Sequence, residues 1–124
     1  NKRLPKVLVV DDNVVNLVIM RKFLANLGID ADVAANGREA IDFVQRDDFD
    51  LVFMDVQMPE IDGLTATRLI REISLTAQPF IIALTANAFE TDRERCLAAG
   101  MNDFLSKPFL FDDIKNKLSS FWQA

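Results

Sequence analysis

Short apolar runs alternate with longer segments in which apolar residues recur every three or four positions. Val7-Leu8-Val9-Val10 contains no polar residue, which predicts a strand buried on both faces, as in the middle of a parallel sheet. Asp50 to Met54 predicts a second such strand, and Phe80 to Leu84, ending at Thr85, a third. Asp30 to Ala34 and Asp103 to Ser106 are weaker strand patterns. Between them the period becomes helical. Asn13 to Leu27 places Leu17, Met20, Leu24 and Leu27 on one side, and Gly28 suits the residue after a helix end. Asn36-Gly37 predicts a turn; Ala40, Ile41 and Val44 mark the next helix, which Asp47-Asp48 ends. Leu64 to Ile73 is a third helix, with Leu69, Ile70 and Ile73 among its apolar positions. A fourth runs from about Ala88 to Ala99, where Gly100 stops it. The last spans Phe111 to Phe121, with Ile114, Leu118 and Phe121 turned inward. Strand then helix, five times over, predicts an α/β doubly wound parallel sheet with helices on both faces.

Composition narrows the choice. At 124 residues the chain fits one domain with a core of its own. Half the residues are hydrophobic, yet no run approaches the ~18 needed to span a bilayer. A net charge of −5 without a basic run argues against nucleic acid as a direct partner. Cys96 is the only cysteine, which fits a reduced, cytoplasmic setting, and it reads as a small, partly buried residue. The absence of histidine excludes a histidine nucleophile, base or metal ligand within this chain. The start at Asn1 and the stop soon after the last helix read as a domain excised from a longer chain.

In open sheets of this kind, ligands bind beyond the carboxyl ends of the strands. Asp11 and Asp12 follow the first strand, Asp55 the third, Thr85 the fourth and Lys107 the fifth. Three carboxylates on one rim repel one another unless a cation joins them. Acid ligands without histidine or cysteine favour Mg²⁺ over zinc. An ammonium and a hydroxyl beside such an ion describe a phosphoryl site, in which Asp55 is the candidate nucleophile.

With Val-Asp-Asp-Asn at 10–13, Met-Asp-Val-Gln-Met-Pro at 54–59, Asp62-Gly63, Ala-Leu-Thr-Ala at 83–86 and Ser-Lys-Pro-Phe at 106–109, the chain resembles the receiver domains of two-component response regulators from Val7 to about Phe121. The resemblance implies a flavodoxin-like sheet of strand order 2-1-3-4-5 flanked by five helices, with the whole chain, 1–124, as one response regulatory domain. It implies that Asp55 accepts a phosphoryl group from a phosphohistidine. Asp11, Asp12, Asp55 and the backbone carbonyl of Gln57 would hold Mg²⁺. Thr85 and Lys107 would bind phosphoryl oxygens. Thr85 and Phe104 would form the conformational switch, without the hydroxyl of the tyrosine found in many relatives. The Lys107-Pro108 bond would be cis. The stretches around Asp55, Leu-Thr-Ala-Asn-Ala and Cys-Leu-Ala-Ala-Gly-Met-Asn-Asp-Phe-Leu-Ser-Lys-Pro look most like receivers fused to hybrid sensor histidine kinases. Such receivers catalyse their own phosphotransfer and dephosphorylation, and pass the phosphoryl group on. The implied partners are a kinase dimerisation and phosphotransfer domain and a histidine phosphotransfer domain, with no membrane contact by this domain even where its parent is anchored in the inner membrane. A stand-alone regulator is the alternative.

On a helical wheel, Val14, Val15 and Val18 fall away from the first helix's core side, beside Arg21, Lys22 and Ala25. One turn from the acids, they form a candidate docking patch for a histidine-bearing helix; scattered surface apolar residues are the plainer reading. Two other readings fare worse. A dehalogenase-type aspartyl phosphatase wants an acid two residues past the nucleophile, where Gln57 stands. A nucleotide- or flavin-binding domain wants glycines after the first strand, where Asp11-Asp12-Asn13 stand. A pseudo-receiver would lack part of the acid set.

Overall fold

The computed structural model describes residues 4–75, 77–86 and 90–121. The elements are β1 (Val7–Val10), α1 (Val14–Asn26), β2 (Asp32–Ala34), α2 (Gly37–Arg46), β3 (Leu51–Asp55), α3 (Gly63–Glu72), β4 (Phe80–Thr85), α4 (Glu90–Ala99), β5 (Asp103–Ser106) and α5 (Phe111–Phe121). All strand pairs are parallel, in the order β2-β1-β3-β4-β5 expected from the sequence.

Alternation along the central strands divides the core. Val7, Val9, Leu51, Phe53, Ile82 and Leu84 pack against Leu17, Met20 and Leu24 of α1 and Ile114 and Leu118 of α5. Leu8, Val10, Val52, Met54, Ile81 and Ala83 pack on the other side, against Ala40 and Val44 of α2, Ala66 and Ile70 of α3, and Cys96 and Ala99 of α4. Burial on both faces explains why β1, β3 and β4 read as unbroken apolar runs.

Boundaries differ from expectation by one or two residues. Asp50 lies before β3, its backbone N–H bonded to the Lys6 carbonyl at 2.9 Å and its carboxylate accepting from the Lys6 N–H at 2.7 Å. Asp55 is instead the last rung of that strand, opposite Leu84. β2 is shorter than expected because its ladder with β1 begins at Asp32. Asn13 is the cap of α1 rather than its first residue, and Leu27 is the corresponding cap at the other end. Gly28 follows with a positive φ, as the helix stop requires. Of the apolar positions of α3, Leu64, Ala66 and Ile70 are buried with Thr67, whereas Leu69 is exposed and borders a shallow groove with Ile41, Ile61 and Ile73. The expected helix start at Ala88 and the inward side chain of Phe121 lie outside what the structure describes.

Candidate functional site

β1, β3 and β4 deliver their last residues to one rim. Asp11 follows β1 and is held by its own loop: its backbone N–H donates to Ala34 (3.1 Å), Oδ1 accepts from the Asn13 N–H (2.9 Å), and Oδ2 accepts from the Asn16 amide (3.2 Å). Asn13 then caps α1, accepting from the Val15 and Asn16 N–H groups at 2.9 and 3.4 Å. Asp12 points to solvent. Asp55 is 3% exposed, and its Oδ1 accepts from the backbone N–H of Gln57 at 3.2 Å.

α3 begins close behind Asp55. The Gly63 N–H donates to the Val56 carbonyl at 2.9 Å, and a Cβ on Gly63 would overlap the Asp55 carbonyl oxygen. Only glycine permits that approach. Asp62 caps the helix by accepting from the Thr65 N–H at 2.8 Å.

Lys107 enters from the far side. Its backbone N–H donates to the Thr85 carbonyl at 2.8 Å, continuing the β4–β5 ladder past Ser106. The Lys107-Pro108 bond is cis, as the resemblance implied. Its Nζ lies 3.1 Å from Asp55 Oδ1 and 3.3 Å from Asp11 Oδ2. One ammonium thus bridges two buried carboxylates.

Asp11, Asp12 and Asp55 each offer an oxygen within 4.8 Å of the others. Three negative charges against one ammonium leave the set uncompensated. Burial first, and Asp11 second, push the Asp55 carboxyl up to about 7 from an ordinary 3.8, although Lys107 pulls the other way. Burial pulls the Lys107 ammonium down, but Asp55 and Asp11 outweigh it and the net shift is upward. A carboxylate held near neutrality beside two more acids is a poor resting state for an ionised group. It is a suitable one for a hard divalent cation, which oxygen ligands alone can hold.

The sequence expectations therefore converge. Asp11, Asp12, Asp55 and Lys107 meet. Thr85, buried at the end of β4, and Gln57 share with Asp12, Asp62, Arg95 and Cys96 an open cleft of about 430 Å³. Phe104 stands apart on β5, half-buried, with the Arg93 guanidinium carbon 4.4 Å and the Lys117 Nζ 5.7 Å from its ring centroid. Val14, Val15 and Val18 are 68%, 63% and 49% exposed, and Ile19 extends their patch. Asn16, Arg95 and Ile19 were missed in the sequence. Asn16 carried a local signal, since an Asn beside an Asx-type turn is a candidate to tie it; Arg95 carried none, because an arginine on a polar helix face looks like any solvated one.

Residues 7–119 match the family described as the response regulator receiver domain. The chain is 42% identical over 120 residues to hybrid signal transduction histidine kinase K of Dictyostelium discoideum, covering 91% of this chain but 10% of that kinase. It thus spans about a tenth of the length of that curated relative. Among solved structures it is similar to the receiver domain of sensor histidine kinase PA1611 from Pseudomonas aeruginosa, described with a magnesium ion coordinated in its active site cleft (TM-score 0.87, 39% identity, 96% and 98% of the two chains). It is also similar to the receiver domain of the Saccharomyces cerevisiae response regulator Ssk1, solved with the histidine phosphotransfer protein Ypd1 (TM-score 0.87, 33% identity, 97% and 91%).

Proposed function

The chain belongs to the response regulator receiver domain family and is a receiver domain of two-component phosphorelay signalling; from that premise we propose that Asp55 is its phosphoacceptor, with Asp11, Asp12 and the Gln57 carbonyl as its metal ligands. The observation that carries this reading is the lysine bridge: Lys107 Nζ sits 3.1 Å from Asp55 and 3.3 Å from Asp11, beside a third carboxylate. The acid-only donor set fits Mg²⁺, which when bound offsets negative charge on the acids and on the transferring group.

Asp55 attacks the phosphorus of a partner's phosphohistidine. The new Oδ–P bond forms as the P–N bond breaks, and the imidazole leaves with its electron pair. Lys107 shifts from the carboxylates it now bridges to an oxygen of the phosphoryl group. Thr85, lining the same cleft, donates to another. The acyl phosphate brings a charge of about −1.5 to −2 into a site that had one carboxylate there. That change draws Thr85 inward, and Phe104 turns into the space it leaves. Water ends the cycle by hydrolysis, or a phosphotransfer histidine accepts the group.

The partners in this reading are a histidine kinase and a histidine phosphotransfer domain, docked on Val14, Val15 and Val18. Similarity to hybrid kinases supports a hybrid kinase as the parent; in this reading the domain lies on the cytoplasmic side. No helix among the described residues is long and apolar enough to cross a membrane.

Intact mass after incubation with acetyl phosphate and Mg²⁺ tests the chemistry. The expected result is a gain of one phosphoryl group in the wild type and none in Asp55→Asn. No gain, or the same gain in the variant, overturns the assignment.

A further inference from the structure

Asp11 is 1% exposed, so its carboxylate is oriented by the donors packed around it. Oδ1 accepts from the Asn13 N–H at 2.9 Å. Oδ2 accepts from the Asn16 amide at 3.2 Å and lies 3.3 Å from the Lys107 ammonium. The two donors on Oδ2 differ in kind. Lys107 also reaches Asp55 Oδ1, at 3.1 Å, and is the group that leaves for a phosphoryl oxygen in the transfer step. Asn16 is fixed on α1, whose Leu17, Met20 and Leu24 pack against the sheet. When the ammonium moves away, the amide remains on Oδ2.

The start of α1 is built around this contact. In a capping box, the third helical residue sends a Glu or Gln side chain back to the N–H of the cap residue. Here the cap is Asn13 and the third helical residue is Asn16. The Asn13 N–H goes to Asp11 instead, and the Asn16 side chain reaches past the cap to the same carboxylate. Asp11 thus replaces the usual partner at both points and is fastened to the helix. Asparagine is a poorer helix former than alanine, leucine or glutamine. Its amide, however, donates without adding charge. A cationic side chain there would offset the negative charge that draws a metal ion, and a carboxylate would repel Asp11.

We propose that Asn16 is a positioning residue of the phosphoryl site: its amide holds Asp11 in the orientation that receives the metal, and keeps it there while Lys107 moves to the phosphoryl group. The inference rests on the receiver reading and adds a residue to it. Asn16 acts through Asp11, not on the donor, so its loss weakens metal binding and slows transfer without raising KM for the donor. Groups that hydrogen-bond a metal-holding carboxylate are worth about ten- to a hundredfold in metal affinity or activity.

The test is calorimetric titration of the purified protein with Mg²⁺, followed by labelling with acetyl phosphate at saturating Mg²⁺ across donor concentration. Asn16→Ala should raise the Kd for Mg²⁺ by about tenfold and lower the maximal labelling rate. Its KM for acetyl phosphate should stay within about twofold of the wild type. Alanine favours a helix more than asparagine does, so the loss cannot come from a weakened α1. Asn16→Gln carries the same amide on a side chain that reaches back from this position in capping boxes, and should recover most of both losses. Asn26→Ala makes the same substitution at the exposed far end of α1 and should change neither quantity. A Kd within about twofold of the wild type in Asn16→Ala overturns the role of Asn16. So does a raised KM with an unchanged maximal rate, a glutamine variant no better than the alanine one, or an equal effect of Asn26→Ala. Failure of the receiver reading looks different: the wild type takes up neither Mg²⁺ nor a phosphoryl group, or Asp55→Asn is still labelled.

Discussion

Asp55 sits where burial and a like charge oppose ionisation and a single lysine favours it. The balance leaves its carboxyl titrating at about 7 in the folded chain, against 3.8 ordinarily. Because the folded value is the higher one, the group's stabilising contribution is complete below pH ~4 and is lost as pH rises toward 7, where the unfolded chain has already released the proton and the folded chain resists doing so. Without divalent ions, the wild type should therefore become less stable between pH 5 and pH 8. Asp55→Asn, which keeps the shape without the charge, should be the more stable protein at pH 8 by on the order of 2 kcal/mol. Mg²⁺ should then stabilise the wild type more than the variant. Urea unfolding in EDTA at the two pH values, repeated with Mg²⁺, measures all three quantities. A wild type more stable at pH 8 than Asp55→Asn would show that Lys107 dominates the site after all. At this scale the sequence was most legible, because a carboxylate closing an apolar run has few structural explanations. Asn16 was not, because its contact with Asp11 depends on a turn geometry that spacing does not reveal.

The elements were legible in order and kind, less so in their margins. A strand's apolar run marks what is buried, whereas its ends are set by ladder partners; Asp50 turns toward Lys6 and so leaves β3. Polar residues that join elements were also silent. Arg71, in the last turn of α3, donates from Nε to the Gly100 carbonyl (2.8 Å), from one terminal nitrogen to Gln78 Oε1 and the Pro79 carbonyl (2.9 and 2.8 Å), and from the other to Asn102 Oδ1 (2.8 Å). Gln78 in turn donates to the Ile70 and Ile73 carbonyls at 3.1 and 3.0 Å, satisfying the end of the same helix. Asn102 Oδ1 also accepts from the Ile81 N–H, at 2.8 Å. One guanidinium therefore ties α3 to the entrances of β4 and β5, and burial lowers its proton affinity. Arg71→Met should cost about 2–3 kcal/mol, since it strands several acceptors at once. Arg71→Lys should recover little, because a single ammonium lacks the fork that reaches four acceptors in different directions. Chemical denaturation of both variants measures this. Equal stability of Arg71→Lys and the wild type would contradict the clamp.

On the scale of the whole molecule, the strand ends put the acids on one rim, and α1 leaves that rim carrying an apolar stripe outward. Leu17, Met20 and Leu24 fix one side of α1 against the sheet, and the described residues leave Val14, Val15, Val18 and Ile19 exposed on the other. α1 begins directly after Asp12 and its cap Asn13, which places Val14 and Val15 one step from the acids proposed to hold the metal. A partner whose histidine reaches Asp55 must lay some surface beside that rim, and an apolar stripe there suits the apolar face of a helix. Acetyl phosphate needs no such seat. The two donors therefore separate docking from chemistry. Val14→Glu with Val18→Glu should fold normally, since both side chains are largely solvent-facing, and should take phosphoryl from acetyl phosphate at the wild-type rate. Transfer from a phosphorylated histidine phosphotransfer domain should fall by about tenfold or more, because two carboxylates would be desolvated against an apolar helix. Unchanged transfer kinetics would move the docking surface elsewhere on the rim and leave the assignment of Asp55 intact, whereas a parallel loss with both donors would mean that the substitutions had disturbed the acid loop next to α1.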